Sequence, residues 1–332
     1  MASGIMVNGQ WRTGRTNVNA SGQFTPIPTT FRDRVTANGS SGFQAEAGRY
    51  HLYVALGCPW AHRTLIIREL QGLQKVISVS IVDPIMSDHG WQFTDAPGTI
   101  PDSVNHAKYL YEVYVKADPT YTGRVTVPVL WDTHTGTIVN NESRDIIQML
   151  AVEFAALAMH PVDVYPHALR QTIEDTIDAL YLPINAGVYR AGFATSQTAY
   201  DEAVADLFAS FDHWESVLST QRYVCGAQLT AADVCLFPTL YRFDSVYYGH
   251  FKCNLRRIID YPNLWNYLKD LYQRPAFKAT CNLDDTKRGY YTSMTEINPN
   301  RIVPKGPLLD FDAPHDRHRF GTVESQSPTH WS

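Results

Sequence analysis

One cysteine of the sequence, Cys58, lies where a strand pattern gives way to a helix pattern. The alternating, aromatic-rich segment 49–56 before it is typical of a strand, and Pro59 after it suits the first position of a helix. Unpaired N–H groups and the positive end of the helix dipole favour an anion there, and the anion of a cysteine is the nucleophilic thiolate. We therefore predict that Cys58 is a nucleophile with a lowered pKa, and that His62 and Arg63 add positive potential.

The motif around Cys58 restricts the chemistry to a single thiol. A dithiol enzyme has a second cysteine three positions along, where this sequence has Ala61. An internal disulfide at the site is excluded, so the reaction must run through a mixed disulfide with an outside thiol. The remaining cysteines form no C-x-x-C pair and no Cys/His cluster with zinc spacing, so we expect no metal site.

Two dipeptides suit the backbone and the amino-acid end of a peptide ligand. Val127-Pro128 precedes a strand, where proline is unfavourable unless the strand lies at an edge. A cis peptide bond resolves that conflict and exposes the Val127 backbone to an extended peptide. Glu142-Ser143 begin a helix, where the hydroxyl and free N–H groups suit a carboxylate and the Glu142 side chain suits an ammonium group. Plain N-capping is the alternative for this second pair.

The elements around these residues predict an α/β, thioredoxin-like domain. Strands at 49–56 and 76–84 flank the helix that follows Cys58, which makes a right-handed, parallel βαβ unit. After a long insertion at 85–123, a hairpin at 126–140 and a further helix complete the order βαβ, then ββα.

The second half of the chain is predicted to be all helical. Thr230 and Asp233 form a capping-box pattern. Helical stretches occupy residues 166–182, 196–218, 231–247 and 264–272. We divide the chain into an N-terminal extension (1–48), a thioredoxin-like domain (49–160), an all-α domain (161–311) and a polar tail (312–332).

Composition and charge argue against several classes of partner. The chain has 28 basic and 33 acidic side chains, a net charge of −5, and no basic stripe that would support nucleic-acid binding. No apolar run approaches the roughly 20 residues of a membrane span, and the N-terminus has no targeting pattern. We therefore expect neither a nucleic-acid nor a membrane partner. Because the five cysteines form an odd, sparse set, we also expect free thiols in a reducing cytoplasm.

Longer blocks of sequence sharpen the prediction. The glutathionyl-hydroquinone reductases, the Xi class of the glutathione transferase superfamily, are similar to this chain from about residue 49 to 310, in the blocks LGCPWAHRTLI, VPVLWD, NNES, NAGVYRAGFA, FPTLYRFDSVYYGHFKCNLRRI and YPNLWNYLKDLYQ. The resemblance implies the two-domain glutathione transferase fold and a homodimer. It also implies an enzyme that takes glutathione and a glutathionyl-hydroquinone and releases hydroquinone and glutathione disulfide. Glutathione is then a co-substrate, and no cofactor is permanently bound.

The same resemblance assigns roles to particular residues. The nucleophile falls on Cys58, and two tyrosines that face the hydroquinone fall on Tyr189 and Tyr290. Tyr291 is the alternative for the second of these, and we expect it in the substrate pocket with Trp60. The glutathione site falls on Trp91, Arg124, Val127, Pro128, Glu142 and Ser143.

Two other functions stay open. A monothiol deglutathionylase or dehydroascorbate reductase resembling the omega class would share the cysteine and both dipeptides, but it leaves the Tyr189 and Tyr290 blocks unexplained. A binding or scaffold protein of the glutathione transferase type, without catalysis, would typically lack the nucleophile that this chain has at Cys58.

Overall fold

The computed structural model of the chain describes residues 4–14 and 18–321. Its strands are β1 (Gly4–Val7), β2 (Gln10–Thr13), β3 (Val35–Thr36), β4 (Phe43–Gln44), β5 (Tyr50–Val54), β6 (Ile77–Ile81), β7 (Val129–Asp132) and β8 (Thr137–Asn140). Its α-helices are α1 (Pro59–Leu70), α2 (Leu110–Ala117), α3 (Ser143–Val152), α4 (Arg170–Leu180), α5 (Gly187–Gly192), α6 (Gln197–Thr220), α7 (Ala231–Arg242), α8 (Pro262–Tyr272), α9 (Pro275–Lys278) and α10 (Leu283–Ser293).

A four-stranded mixed sheet forms the centre of the first domain. The strand order is β6-β5-β7-β8; β5 pairs parallel with β6 and antiparallel with β7, and β7 and β8 form an antiparallel hairpin. All five residues of β5 are buried, as expected for a strand inside a covered sheet. The βαβ and ββα units that the sequence predicts are therefore confirmed, and the fold is thioredoxin-like in this part.

Helix α1 begins directly after the cysteine. Cys58 is the N-cap, with extended backbone angles (φ −80°, ψ 119°), and Pro59 is the first helical residue, as predicted. The chain leaves the helix through Gly72, whose φ of +66° is a left-handed conformation that favours glycine. Since α1 contacts both α3 and α7, it connects the sheet domain with the helical domain.

Helix α7 is the buried centre of the second domain, which is all helical as predicted. All its residues are buried. The predicted capping box is confirmed, because the Thr230 N–H donates to Asp233 Oδ2 at 2.7 Å. A π-helical segment, Phe243–Tyr247, continues α7, so the predicted helix at 231–247 has a widened last turn.

The N-terminal extension, predicted as a plain extended arm, carries four short strands and contacts both domains. Near its start, the Met6 N–H donates to Gly123 O in the sheet domain at 2.8 Å. Further along, Ser196 Oγ of the helical domain donates to Ser21 O at 2.8 Å. The extension therefore bridges the two domains. The insertion at 85–123 likewise contains a helix, α2, that the sequence reading leaves out.

The first part of the predicted polar tail is anchored to the helical domain. Arg317 is fully buried, and its Nη1 and Nη2 donate to Leu218 O (2.7 Å) and Arg222 O (2.9 Å). These carbonyls lie at and just beyond the end of α6, where helix carbonyls have no partner in the helix. The rest of the predicted tail, 322–332, lies outside the described residues.

Candidate active site

A cleft of about 290 Å³ lies between the two domains, with Cys58 in its lining. The sheet domain contributes the start of α1, the loop before β7 and the start of α3, and the helical domain contributes α5 and α10. Ten residues predicted for the site line this cleft: Cys58, Trp60, Trp91, Arg124, Val127, Pro128, Glu142, Ser143, Tyr189 and Tyr290. Local turns and tertiary packing thus bring together side chains that are far apart in sequence.

Cys58 is a half-buried residue, and its Sγ donates to Val127 O at 3.6 Å. Burial raises the pKa of this thiol, and the backbone N–H groups of Ala61 and Trp60 and the guanidinium groups of Arg242 and Arg63 oppose that rise. The expected lowering of the pKa is therefore wrong in its net direction. The N–H groups at the start of α1 do lower the pKa of Cys58, as predicted, but the increase caused by desolvation is larger.

The predicted positive charge on His62 is also wrong. His62 is buried, and its pKa is lowered well below the ordinary value by burial and by Arg242. Its Nδ1 accepts from Arg242 Nη1 at 2.9 Å, and its Nε2 donates to Thr280 Oγ1 at 2.8 Å. Thr280 Oγ1 in turn donates to Phe277 O at 2.8 Å. The neutral tautomer of His62 with its proton on Nε2 therefore gives every hydrogen bond in this series one donor and one acceptor.

Arg242, which the sequence reading misses, holds the turn in front of the cysteine. It is fully buried at the end of α7, and it donates to Leu56 O at 2.7 Å and to Gly57 O at 3.0 Å. The one signal in the sequence is that a largely apolar helix ends in an arginine.

The Val127 and Glu142 region matches the geometry expected for a peptide ligand. The Val127–Pro128 bond is cis, as predicted. Glu142 is the N-cap of α3, and its Oε1 accepts the Arg144 N–H at 3.2 Å. The capping alternative is therefore realised, and the second carboxylate oxygen accepts from Thr29 Oγ1 at 3.3 Å. The Glu142 carboxylate still lines the cleft.

Cationic and aromatic groups complete this part of the cleft. The Arg63 guanidinium lies 4.4 Å over the Trp60 ring, and its Nη1 donates to the buried Ser143 Oγ at 3.3 Å. Trp91 lies beside the start of α2, where its carbonyl accepts the Leu110 N–H at 3.0 Å. Burial lowers the pKa of Arg124, while the nearby Cys58 opposes that effect, so both groups face the same space.

Three tyrosine hydroxyl groups meet at the helical side of the cleft. Tyr189 Oη lies 2.5 Å from Tyr290 Oη and 3.5 Å from Tyr247 Oη, and Tyr247 Oη lies 3.0 Å from Tyr290 Oη. Burial raises the pKa of all three, so each hydroxyl keeps its proton near neutral pH. Tyr189 and Tyr290 line the cleft, whereas Tyr247 stands behind them and was not among the predicted residues.

Tyr291, predicted as a substrate-pocket residue, does not line the cleft. Its hydroxyl donates to Ser245 O at 3.3 Å, and its ring packs 4.5 Å from the His250 ring. Consecutive residues of a helix point about 100° apart, so α10 turns Tyr291 away when it turns Tyr290 inward. Of the two neighbouring tyrosines, Tyr290 lines the cleft and Tyr291 does not.

Residues 4–14 and 18–321 contain no cluster of three or more His, Cys, Asp or Glu side chains arranged to hold a metal ion. No helix within them is both long and apolar enough to cross a membrane.

Comparison with known families gives the class of the protein. Residues 57–153 match the model of the glutathione S-transferase N-terminal domain, and residues 197–270 match that of the C-terminal domain.

Individual relatives are similar over nearly the whole chain. Glutathionyl-hydroquinone reductase YqjG of Escherichia coli is 48% identical over 96% of this chain and 100% of its own length. Glutathionyl-hydroquinone reductase PcpF of Sphingobium chlorophenolicum is 47% identical over 92% of this chain and 96% of its own.

Solved structures agree with those matches. A Xi class glutathione transferase from Natrialba magadii, 50% identical, superposes with a TM-score of 0.91 over 96% of this chain and 97% of that one. The glutathione-bound structure of YqjG, 47% identical, gives 0.88 over 95% and 99%. The chain belongs to the glutathione S-transferase superfamily and, within it, to the Xi class of glutathionyl-hydroquinone reductases.

Proposed function

We propose that this protein reduces glutathionyl-hydroquinones to hydroquinones with glutathione as co-substrate, through a mixed disulfide on Cys58. The observation that carries the proposal is that one cleft holds a single thiol together with the hydroxyl groups of Tyr189 and Tyr290. A thiol alone suits any deglutathionylation, whereas two protonated phenols suit a substrate with two phenolic oxygens. The activity named for the E. coli and Sphingobium relatives supports it.

The sheet side of the cleft would hold the glutathionyl group. The Glu142 carboxylate suits the ammonium of the γ-glutamyl end, and Ser143 with the N-terminus of α3 suits its carboxylate. The Val127 backbone suits the cysteinyl peptide unit, which would bring the glutathione sulfur next to Cys58, since Cys58 Sγ already lies 3.6 Å from Val127 O. Trp91 and Arg124 would close this side.

In the first chemical step the Cys58 thiolate attacks the glutathione sulfur of the substrate. The new S–S bond forms as the carbon–sulfur bond to the ring breaks, and the bonding pair leaves with the ring carbon, which takes up a proton. Tyr189 and Tyr290 would hydrogen-bond the two ring oxygens and assist that protonation. Since burial raises the pKa of Cys58, the N–H groups at the start of α1 and the nearby guanidinium groups must stabilise the thiolate as it forms.

In the second step a glutathione thiolate attacks the mixed disulfide. Glutathione disulfide leaves, and Cys58 returns as the thiolate, so the two electrons that reduce the ring carbon come from the glutathionyl sulfur of the substrate and the sulfur of the added glutathione. The balance is one glutathionyl-hydroquinone and one glutathione to one hydroquinone and one glutathione disulfide. No permanently bound cofactor is needed. We also propose that the protein works in the cytoplasm as a homodimer.

The test is a coupled assay of glutathione disulfide formation from a glutathionyl-hydroquinone. We expect turnover by the wild type and none by Cys58→Ser, because a serine hydroxyl cannot form the mixed disulfide. Folding of the variant is checked by circular dichroism and Tm, and Cys225→Ser is the matched control, since Cys225 is a half-buried cysteine outside the cleft whose thiol contacts Thr176. Turnover that persists in Cys58→Ser would refute the proposal. Turnover of a small glutathione mixed disulfide alone would favour the omega-like alternative.

A further inference from the structure

Arg242 is a fully buried guanidinium whose hydrogen-bond partners are all neutral. Besides Leu56 O and Gly57 O, it donates from Nη1 to Pro238 O at 3.0 Å and to His62 Nδ1 at 2.9 Å. No carboxylate pairs with it in the part of the chain that the structure describes. Burial of a charge without a counter-ion is costly, so a group that the reaction makes anionic is the natural partner for this one.

The Cys58 thiol, which the reaction makes anionic, directly follows the two residues whose carbonyls this guanidinium binds. The two carbonyls that Arg242 holds belong to the residues one and two positions before the cysteine. The Cys58 N–H on the far side of the same turn donates to Ala55 O at 3.0 Å. The turn is thus fixed from both sides, and its position sets the position of Sγ.

We propose that Arg242 is a positioning residue for the Cys58 nucleophile: its guanidinium fixes the Leu56–Gly57 turn and provides the buried positive charge that stabilises the thiolate. The inference rests on the proposed role of Cys58 and adds a residue from the other domain to it. A charge inside a low-dielectric interior acts more strongly than one in water, and the buried Arg242 guanidinium opposes the rise that burial causes in the pKa of Cys58.

The neutral state of His62 is part of the same device. Only the neutral ring has a lone pair at Nδ1 for Arg242, and its Nε2 proton goes to Thr280. A protonated His62 would repel the guanidinium and break this bond. His62 therefore orients Arg242 without adding a charge of its own.

Other charged or titratable groups also face Cys58 from the elements around it. They are Arg63 on α1, Arg124 in the loop before β7, and Tyr189 and Tyr247 in the helical domain, with Glu142 and Tyr290 in the same cleft. Of the cations, Arg63 donates to Ser143, to Asn185 and to the Cys235 carbonyl, and it lies over the Trp60 ring. Arg242 combines a charge with hydrogen bonds to the two carbonyls directly before Cys58.

The test is the pH profile of Cys58 alkylation by iodoacetamide, read by mass spectrometry of the Cys58 peptide. We expect Arg242→Met to raise the midpoint by roughly 1 pH unit, since loss of a nearby cation has about this effect on a thiolate. Arg242→Lys keeps the charge but loses the forked grip on two carbonyls. It should leave the midpoint near the wild-type value and lower kcat by about 10–100-fold, because Sγ is displaced.

Arg317→Met is the matched control. Arg317 is also fully buried and also donates to main-chain carbonyls, but it lies at the end of α6, away from the cleft. It should lower Tm and leave both the alkylation midpoint and kcat unchanged. A purely structural role of Arg242 would give the same pattern as this control.

The outcomes separate the two proposals. An unchanged midpoint in a folded Arg242→Met variant overturns the charge role. If that variant does not fold, Arg242→Lys decides: a midpoint raised by about 1 unit overturns the charge role, and an unchanged kcat overturns the positioning role. Turnover in Cys58→Ser would instead defeat the proposed function, whatever the Arg242 variants do.

Discussion

The two sides of the cleft are built in different ways. The proposed glutathione side of the cleft consists of Val127, Glu142 and Ser143, which lie on one domain, just before a strand and at a helix start. The proposed hydroquinone side consists of Tyr189 and Tyr290, which are 101 residues apart in sequence and whose hydroxyl groups meet through the folding of α5 and α10. The first side depends on local backbone geometry and the second on tertiary contacts.

Because of this difference, we expect one side of the cleft to determine glutathione affinity and the other to determine substrate choice. Main-chain atoms and a helix N-terminus recognise any glutathionyl group, whatever is attached to its sulfur. Side-chain hydroxyls brought from separate helices recognise the attached group. Substitutions on the two sides should therefore separate glutathione affinity from substrate choice, and three predictions test that separation.

The largest effect is expected on the glutathione side. Glu142→Gln and Ser143→Ala should each weaken glutathione binding by about 1.5–3 kcal/mol, or roughly 10–150-fold in Kd, because a charge-assisted hydrogen bond is lost. Glutamine keeps a side-chain oxygen for the Arg144 N–H, so the cap of α3 is retained. Calorimetry on a Cys58→Ser background measures binding without turnover.

A matched variant lies at the other end of the same helix. Glu153 Oε2 accepts the Ala37 N–H at 2.8 Å, outside the cleft, so Glu153→Gln should leave glutathione affinity unchanged. Equal affinities for the wild type, Glu142→Gln and Ser143→Ala would move the amino-acid end of glutathione to another part of the cleft and would break the comparison.

Local rules in the sequence predict the short-range structure of both domains well. The strand before Cys58, the helix that begins at Pro59, the cis bond before Pro128 and the capping box of α7 are all confirmed. Each depends on residues a few positions apart, whose turn, cap and strand preferences are short-range. The sequence does not predict the strands within the first 48 residues, because each is only two to four residues long.

Tertiary contacts account for what the sequence could not give. Arg242 looks like the end of an ordinary buried helix, and only the fold brings it under the Cys58 turn. The net direction of the Cys58 pKa depends on how much water the other domain removes, which no local pattern records. Tyr189 and Tyr290 were expected only because of the family resemblance, and that resemblance left Tyr291 as an alternative that α10 now turns away.

The next effect is expected on the hydroquinone side. Tyr189→Phe and Tyr290→Phe should each slow hydroquinone release by up to about 100-fold, since general acid assistance contributes about 10²–10⁴-fold and two donors share it. The rings stay, so packing is kept. Reduction of a small glutathione mixed disulfide should hardly change, because its leaving thiolate needs no protonation at carbon. The measurement is the ratio of the two activities for each variant.

A fall in both activities together would assign these tyrosines to glutathione binding or to structure. If neither activity falls, the omega-like alternative is favoured, in which the leaving group is a thiolate and not the ring carbon of a hydroquinone. In both cases the two sides of the cleft would no longer have separate tasks.

The smallest effect is expected for Tyr247, which stands behind the other two. Each tyrosine hydroxyl has one proton to donate, so three hydroxyls in mutual contact use all their protons on one another. When Tyr290 turns its proton toward a ring oxygen, its own oxygen becomes free to accept, and Tyr247 lies 3.0 Å away to donate to it. Tyr247→Phe removes only this hydrogen bond, so the activity on a glutathionyl-hydroquinone should fall by about 2–10-fold, the value of one neutral hydrogen bond.

Tyr291→Phe is the matched control. The Tyr291 hydroxyl donates to Ser245 O outside the cleft, so its loss should change neither activity. If Tyr247→Phe is as damaging as Tyr290→Phe, the three hydroxyls act as one unit, and the hydroquinone side cannot be divided into two contacting donors and a supporting one.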